Sequence, residues 1–355
     1  MEGELIDLYS DYLLCSSRQT TATGLSKLTE GMISHDAITR YLSGEAMDGK
    51  TLWLKVKKLV RAHENEEACL VFDDTIIEKP YMDENDIVCW NWDHKEGRNV
   101  KGINLLTAFY TAISGGIPVR IPVGYDIIAK KEKYTDAKDG KEKRRSAVTK
   151  NEMMRAMIQT QISNRLKFHY VLADIWFGSC ENMKFIHRKR KVFVFEMKGN
   201  RLAAVSEQDR KKGHFERIDR IAILDRGPVA VWLKDLSIPV LLFKQVFTNK
   251  DGTRGERYLV TNDLEMSKDQ FETLYKRRWG VEEYHKSLKQ NASIGSSPAH
   301  TERTQSNHIF SAIYAYIKLE KIKVERRINH FALKMLIYSE SLKVAMNLIP
   351  HYVVV

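Results

Sequence analysis

The chain has 355 residues and a formal net charge of +11 at pH 7, with 57 lysine and arginine residues against 46 aspartate and glutamate residues. A hydrophobic fraction of 43% is enough to build a core and excludes a disordered or low-complexity chain. With no run of 18 apolar residues and no basic, apolar N-terminus, the sequence predicts neither a membrane span nor a signal peptide. Scattered cysteines without CxxC pairs or zinc-finger spacing predict reduced thiols in the cytoplasm: Cys15, Cys69, Cys89 and Cys180.

The first predicted elements are helices. Residues 4–14 have apolar positions at helical spacing, and Ser34 is a good N-cap for a later helix. The outer face of that helix would carry Arg40, and an amphipathic basic helix follows over 51–63. One interpretation is a DNA-recognition helix, and the alternative is an ordinary helical hairpin. We take residues 1–64 as a helical N-terminal DNA-binding module.

The pattern then changes to short apolar strands that end on acids. ACLVFDDT is expected to end on Asp73 and Asp74, and FHYVLAD on Asp174, with a charged surface loop predicted over 129–148 between them. Carboxylates at the ends of buried strands destabilise a fold unless their charge is compensated. Oxygen ligands suit Mg²⁺ or Mn²⁺, so a divalent cation is the simplest compensation. The alternative is that each aspartate starts a turn or caps a helix.

Short alternating segments separated by Gly, Pro and Asp predict an antiparallel β insertion over 200–262, followed by a long helix over 268–290. An α-helix turns about 100° per residue, which places four polar residues of the long helix within about 60° of one another: Tyr275, Arg278, Glu282 and Lys289. Such a stripe suits a metal site acting on a phosphodiester, because the acid can bind the ion while the bases hold phosphates. The alternative, a surface salt bridge between Arg278 and Glu282, explains two of the four.

The spacing Tyr-x2-Arg-x3-Glu-x6-Lys in YKRRWGVEEYHKSLK resembles the signature of bacterial insertion-sequence transposases of the DDE class. More narrowly, it is similar to the cut-and-paste group that works through a DNA hairpin intermediate. The FDDT segment, the VLAD segment and the β-rich insertion follow in the matching order. The resemblance implies an α/β fold: a ribonuclease-H-like catalytic core in two parts, 65–199 and 263–325, interrupted by the insertion and followed by a helical tail over 326–355.

The resemblance also implies the metal ligands. It assigns Asp74, Asp174 and Glu282 to a triad that binds two Mg²⁺ ions, with Mn²⁺ as a substitute. Asp73 is a fallback, because successive strand side chains point to opposite faces and only one of the pair can face the ions. Asp74 is chosen because it directly precedes the threonine, as in the family. The Ile-Trp-Phe-Gly segment after Asp174 departs from the polar or small residues that the family often has there.

The same resemblance implies contacts with DNA. Arg278 and Lys289 would bind phosphates near the cleavage point and Tyr275 would donate a hydrogen bond to a phosphate. Trp279 would either stack on an unpaired base or pack in the core. Basic residues after the second acidic motif would extend this surface, and the alternative for them is a solvated surface. The residues assigned to DNA are Tyr275, Arg278, Trp279, Lys289, Lys198, Arg201 and Arg40.

The expected function is that of a transposase that binds double-stranded DNA at terminal inverted repeats, cleaves it and joins the 3′-ends to target DNA. A homodimer in the synaptic complex and a location at the bacterial nucleoid in the cytoplasm are implied. Two alternatives stay open. One is a ribonuclease-H-like nuclease without strand transfer, and the other is a non-catalytic DNA-binding repressor derived from a transposase. The presence of all three acids argues against the repressor.

Overall fold

The computed structural model describes residues 2–93, 96–137, 139–221, 227–248 and 251–352. The predicted insertion includes residues 222–226 and 249–250, and the predicted tail includes residues 353–355, all of which lie outside the described residues.

The described chain begins with four helices, continues through six strands and then a mixture of helices and strands, and ends with three helices. The helices are α1 (Glu2–Cys15), α2 (Ala22–Leu28), α3 (His35–Ser43), α4 (Gly49–His63), α5 (Lys150–Ser163), α6 (Cys180–Arg188), α7 (Glu207–Lys212), α8 (Lys268–Gln290), α9 (Glu302–Arg326) and α10 (His330–Tyr352). The strands are β1 (Cys69–Glu78), β2 (Val88–Asp93), β3 (Arg98–Ser114), β4 (Ile117–Ile127), β5 (Glu132–Thr135), β6 (Glu142–Arg145), β7 (Tyr170–Ala173), β8 (Val192–Met197), β9 (Leu202–Ala204), β10 (Glu216–Arg217), β11 (Val229–Leu233), β12 (Val240–Thr248) and β13 (Arg254–Thr261).

The sheet is built around β1. This strand pairs antiparallel with β3 and parallel with β7, and β7 pairs parallel with β8. The long β3 pairs on its other edge with both β2 and β4. Central strands therefore lie in the order β4, β3, β1, β7, β8, which is consistent with a ribonuclease-H-like core. Beyond β8 the sheet continues through β13, β12, β11, β9 and β10 with antiparallel pairing, so the strands of the insertion extend the same sheet.

Two predictions about local structure are wrong. Strand β1 does not end at its two aspartates but continues to Glu78, because the residues beyond Asp74 keep pairing with β3. The charged segment over 129–148 is not only loop, because β5 and β6 form a hairpin within it. Cross-strand ion pairs stabilise this hairpin, including the one between Lys133 Nζ and Glu142 Oε1 at 2.9 Å.

The N-terminal helices share a core with the rest of the chain. Helices α1 and α3 pack against α9, and α4 packs against β4. At these contacts Tyr9 Oη lies 2.9 Å from His308 Nδ1, and Asn307 donates from Nδ2 to the carbonyl of Leu42. The segment expected to be a helical N-terminal module therefore packs directly against α9 and β4 of the rest of the chain. No helix within the described ranges is long and apolar enough to cross a membrane.

Candidate active site

Strand register brings three aspartates together. The parallel pairing of β1 with β7 runs to Phe72 opposite Ala173, so Asp73 and Asp74 follow it on one strand and Asp174 follows it on the other. Burial raises the pKa of Asp73 to about 8, and the charges of Asp174 and Asp74 add to this effect. Burial also raises the pKa of Asp174, with a further contribution from Asp74. The three carboxylates are thus close enough to repel one another.

The two neighbouring aspartates of β1 have different partners. Asp73 Oδ2 lies 3.8 Å from His285 Nδ1 on α8. Burial, together with the charge of Lys289, lowers the pKa of His285 to about 3, so this histidine is neutral and forms no ion pair with Asp73. Asp74 Oδ2 instead accepts a hydrogen bond from Lys150 Nζ at the start of α5, at 2.7 Å. Asp73 therefore faces α8, and Asp74 is turned towards α5.

Helix α8 contributes a cation and an acid next to these aspartates. Arg278 donates from one terminal nitrogen to Glu282 Oε1 at 3.0 Å. The Arg278 residue is only 8% exposed, whereas the Glu282 side chain is 43% exposed. The positive charge of Arg278 also acts to lower the pKa of both Asp73 and Asp174, against the effect of burial. Arg278 is therefore within electrostatic reach of acids from three elements.

The donor chemistry of this cluster fits a divalent cation. All four acidic side chains offer oxygen, and these carboxyl groups outnumber the two cations beside them, Arg278 and Lys150, so the cluster can take up further positive charge. Across the described ranges, however, no group of three histidine, cysteine, aspartate or glutamate side chains is arranged to hold a metal ion. Glu282 is hydrogen-bonded to Arg278 instead.

The remaining residues of the α8 stripe are placed differently from one another. Tyr275 is buried and donates its hydroxyl to Glu196 Oε2 at 2.9 Å, and Arg257 lies 3.5 Å from the same carboxylate oxygen. The tyrosine hydroxyl is thus engaged with a protein carboxylate. Lys289 is exposed at the last turn of the helix.

Trp279 lines a cavity between the insertion and α8. The cavity has a volume of about 480 Å³, and the indole is 48% exposed. Its walls combine cations with aromatic rings, including Lys244, Arg257, Lys268, Lys276, Phe243 and Tyr275. Single-stranded nucleic acids bind to surfaces of this kind, because their bases stack on aromatic rings and their phosphates bind basic side chains.

The other basic residues assigned to DNA fall into different environments. Lys198 lies just beyond β8, with Nζ 5.8 Å from the centre of the Trp176 ring. Arg201 donates to the carbonyl oxygen of Gly178 at 2.9 Å and so supports the turn that follows Asp174. Arg40 is exposed in the last turn of α3, the helix that packs on α9.

Two residues of the site were missed by the sequence reasoning. Lys150 is the first residue of α5 and bonds to Asp74, which is 76 positions earlier in the chain. Trp176 is 52% exposed and follows Asp174 by two positions. The unusual Ile-Trp-Phe-Gly segment was a signal for Trp176, whereas no local pattern could have indicated the partner of Lys150.

Comparisons with known families cover both halves of the chain. A family model described as DDE superfamily endonuclease matches residues 4–214, which is more than half of the chain. A second, described as transposase DDE domain, matches residues 143–318. A search of curated proteins gives no match. The first match includes the aspartates of β1 and β7, and the second includes α8.

Proposed function

Because the chain belongs to the family of DDE superfamily endonucleases, we propose that it is a cut-and-paste DNA transposase working through a hairpin intermediate. The observation that carries this proposal is the convergence of aspartates from β1 and β7 with the Arg278–Glu282 pair of α8. Acids that can hold a divalent cation, beside a guanidinium that can bind a phosphate, suit the cleavage of a phosphodiester.

We propose Asp74, Asp174 and Glu282 as the ligands of two Mg²⁺ ions, with Mn²⁺ as a substitute. Asp74 is preferred to Asp73 because it directly precedes the threonine, as in the family. Bound cations would polarise the scissile phosphodiester and activate the attacking water or 3′-hydroxyl. The assignment is supported by the oxygen donors of the three side chains, which suit Mg²⁺. Glu282 would give up its hydrogen bond to Arg278 when it binds the cation.

The basic residues around the triad would hold the substrate. Arg278, already positioned by Glu282, and the exposed Lys289 are proposed to bind phosphates near the cleavage point. Trp279 would stack on a base in the cavity that it lines. Tyr275 can reach a phosphate only by giving up its hydrogen bond to Glu196.

Residues farther away are proposed to act on the flanking DNA. Lys198 would contact the backbone beside the acids, and Arg201 would act through the turn that it supports. Arg40 on α3 would contact the terminal inverted repeats. Synapsis of two repeats and their joining to target DNA would take two protomers, and the reaction would occur on nucleoid DNA in the cytoplasm.

A cleavage and joining assay tests this function. The substrate is DNA from the flanks of the gene that carries its inverted repeats, incubated with the protein and Mg²⁺. We expect nicked, hairpin and joined products, and their loss in Asp174→Asn and Glu282→Gln, with Glu325→Gln on the exposed side of α9 as a matched control.

Each failure has a separate meaning. Cleavage without joining would identify a nuclease, and binding without cleavage would identify a repressor. Normal cleavage by Glu282→Gln would overturn the ligand assignment.

A further inference from the structure

An exposed tryptophan stands beside the acids. Trp176 is 52% exposed, although its neighbour Phe177 is completely buried. The backbone around it is closed into a turn by Asp174, whose Oδ1 accepts the N–H of Trp176 at 3.0 Å and whose carbonyl accepts the N–H of Phe177 at 3.2 Å. The same residue that is proposed as a metal ligand therefore fixes the backbone that carries the indole.

The turn is held from its other end as well. Gly178 lies so close to β8 that a Cβ atom there would stand 2.9 Å from the carbonyl oxygen of Glu196. Its own carbonyl oxygen accepts a hydrogen bond from Arg201. With both ends fixed, Trp176 is presented on a rigid element, and little ordering of the turn remains to oppose ligand binding.

Two ammonium groups flank the indole. Lys150 Nζ lies 5.9 Å and Lys198 Nζ 5.8 Å from the centre of the Trp176 ring. Lys150 is also the residue bonded to Asp74, so ring, cations and acids form one continuous surface. Both ammonium groups lie over the ring, so a nucleotide would stack its base there in their place while its phosphate takes their positive charge.

We propose that Trp176 is a stacking surface for an unpaired nucleobase next to the scissile phosphodiester, with Lys198 on its phosphate. The base must be unpaired, because the faces of a base inside a duplex are covered by its neighbours. The site shares no lining residue with the cavity of Trp279. The inference rests on the proposed function and adds a preference for DNA that is opened at the cut.

Fluorescence of 2-aminopurine tests the proposal directly. The DNA is an element end in which mismatches keep the bases near the cut unpaired, and the analogue replaces each of these bases in turn. Binding is measured with Ca²⁺ in place of Mg²⁺. Stacking on Trp176 quenches the analogue in the wild type at a position where quenching does not depend on Trp279. In Trp176→Ala this quenching is lost and affinity falls about 5- to 150-fold. Trp176→Phe retains most of both, which also shows that the turn has folded.

The controls separate this proposal from its premise. Trp90→Ala removes a tryptophan of similar exposure, 54%, on β2 and leaves quenching and affinity unchanged. An abasic nucleotide at the quenched position makes wild type and Trp176→Ala bind equally. If the wild type cleaves DNA but Trp176→Ala keeps quenching and affinity, stacking is overturned and the transposase proposal stands. If the wild type neither binds nor cleaves its own ends, both are overturned.

Discussion

Arg278 and Glu282 lie one turn apart on α8 and are joined by a hydrogen bond of 3.0 Å from guanidinium to carboxylate. The arginine is buried and the glutamate is largely open to solvent, so Glu282 is free to change partner more easily than Arg278. A divalent cation and Arg278 would then compete for the same carboxylate.

Replacing Arg278 with alanine should separate metal binding from catalysis. With the competing guanidinium removed, we expect tighter binding of Mn²⁺ by calorimetry, and a loss of cleavage of about 100-fold or more because a phosphate contact is lost. Arg277→Ala is a matched control, since Arg277 bonds to the carbonyl of Glu67 and not to the acids. Weaker metal binding in Arg278→Ala would contradict competition.

The two adjacent aspartates should respond differently to substitution. Asp74→Asn is expected to lower the rate of DNA cleavage by about 1,000-fold or more, because it removes a proposed metal ligand. Asp73→Asn should keep activity within about 10-fold, because Asp73 is not one of the proposed ligands and lies beside the neutral His285. Single-turnover cleavage rates measure both. The reverse ranking would make Asp73 the ligand.

The raised pKa of Asp73 predicts a pH-dependent stability. Since its pKa is about 8 in the folded state and about 3.9 when unfolded, the folded protein holds more protons between these values. The free energy of unfolding should therefore fall as pH rises through this window, by up to about 1.4 kcal/mol per pH unit for this group.

Thermal unfolding in EDTA at pH 5 to 8 measures this slope. Asp73→Asn should flatten it, and Asp36→Asn on the exposed face of α3 should not. Added Mg²⁺ should raise the melting temperature most at the upper end of the range, because a cation favours the ionised acids. An unchanged slope in Asp73→Asn would mean that this carboxyl is ionised at neutral pH.

Gly280 should be a position of α8 where alanine fails to stabilise the helix. Alanine is normally favoured over glycine by about 1 kcal/mol inside a helix. A Cβ atom here would lie 2.9 Å from Arg120 Nε, and Arg120 is bound to Glu283 of the same helix. Gly280→Ala should therefore give no gain in the free energy of unfolding, or a loss.

Removing the obstruction is the control for this prediction. In an Arg120→Ala background, Gly280→Ala should recover a gain of about 1 kcal/mol, measured by urea denaturation. Equal effects of the glycine substitution in both backgrounds would show that Arg120 does not occupy the space beside Gly280.

Helix α8 shows what the sequence could predict. The predicted long helix over 268–290 is confirmed as Lys268–Gln290, and its start is encoded locally by the capping box of Ser267 and Gln270. The grouping of Asp74 with Asp174 is implied by the resemblance to the transposase signature, and the pairing of β1 with β7 brings the two together. In contrast, the continuation of β1 past Asp74 depends on pairing with β3, and the Lys150 contact joins residues 76 positions apart. Such features follow from tertiary pairing, which local periodicity does not encode.

The contact of Tyr9 with His308 bears on how such a protein can acquire a new target. Where a recognition domain is joined to the rest of a protein only by a flexible linker, the entire domain can be replaced by another during evolution. Here the N-terminal helices and α9 bury each other, so an exchanged segment would have to reproduce the apolar surface of α1 and α3 as well as its own specificity. Under the proposal that α3 contacts the terminal inverted repeats, new specificity is more accessible through point substitutions on its exposed side, at His35, Thr39 and Arg40.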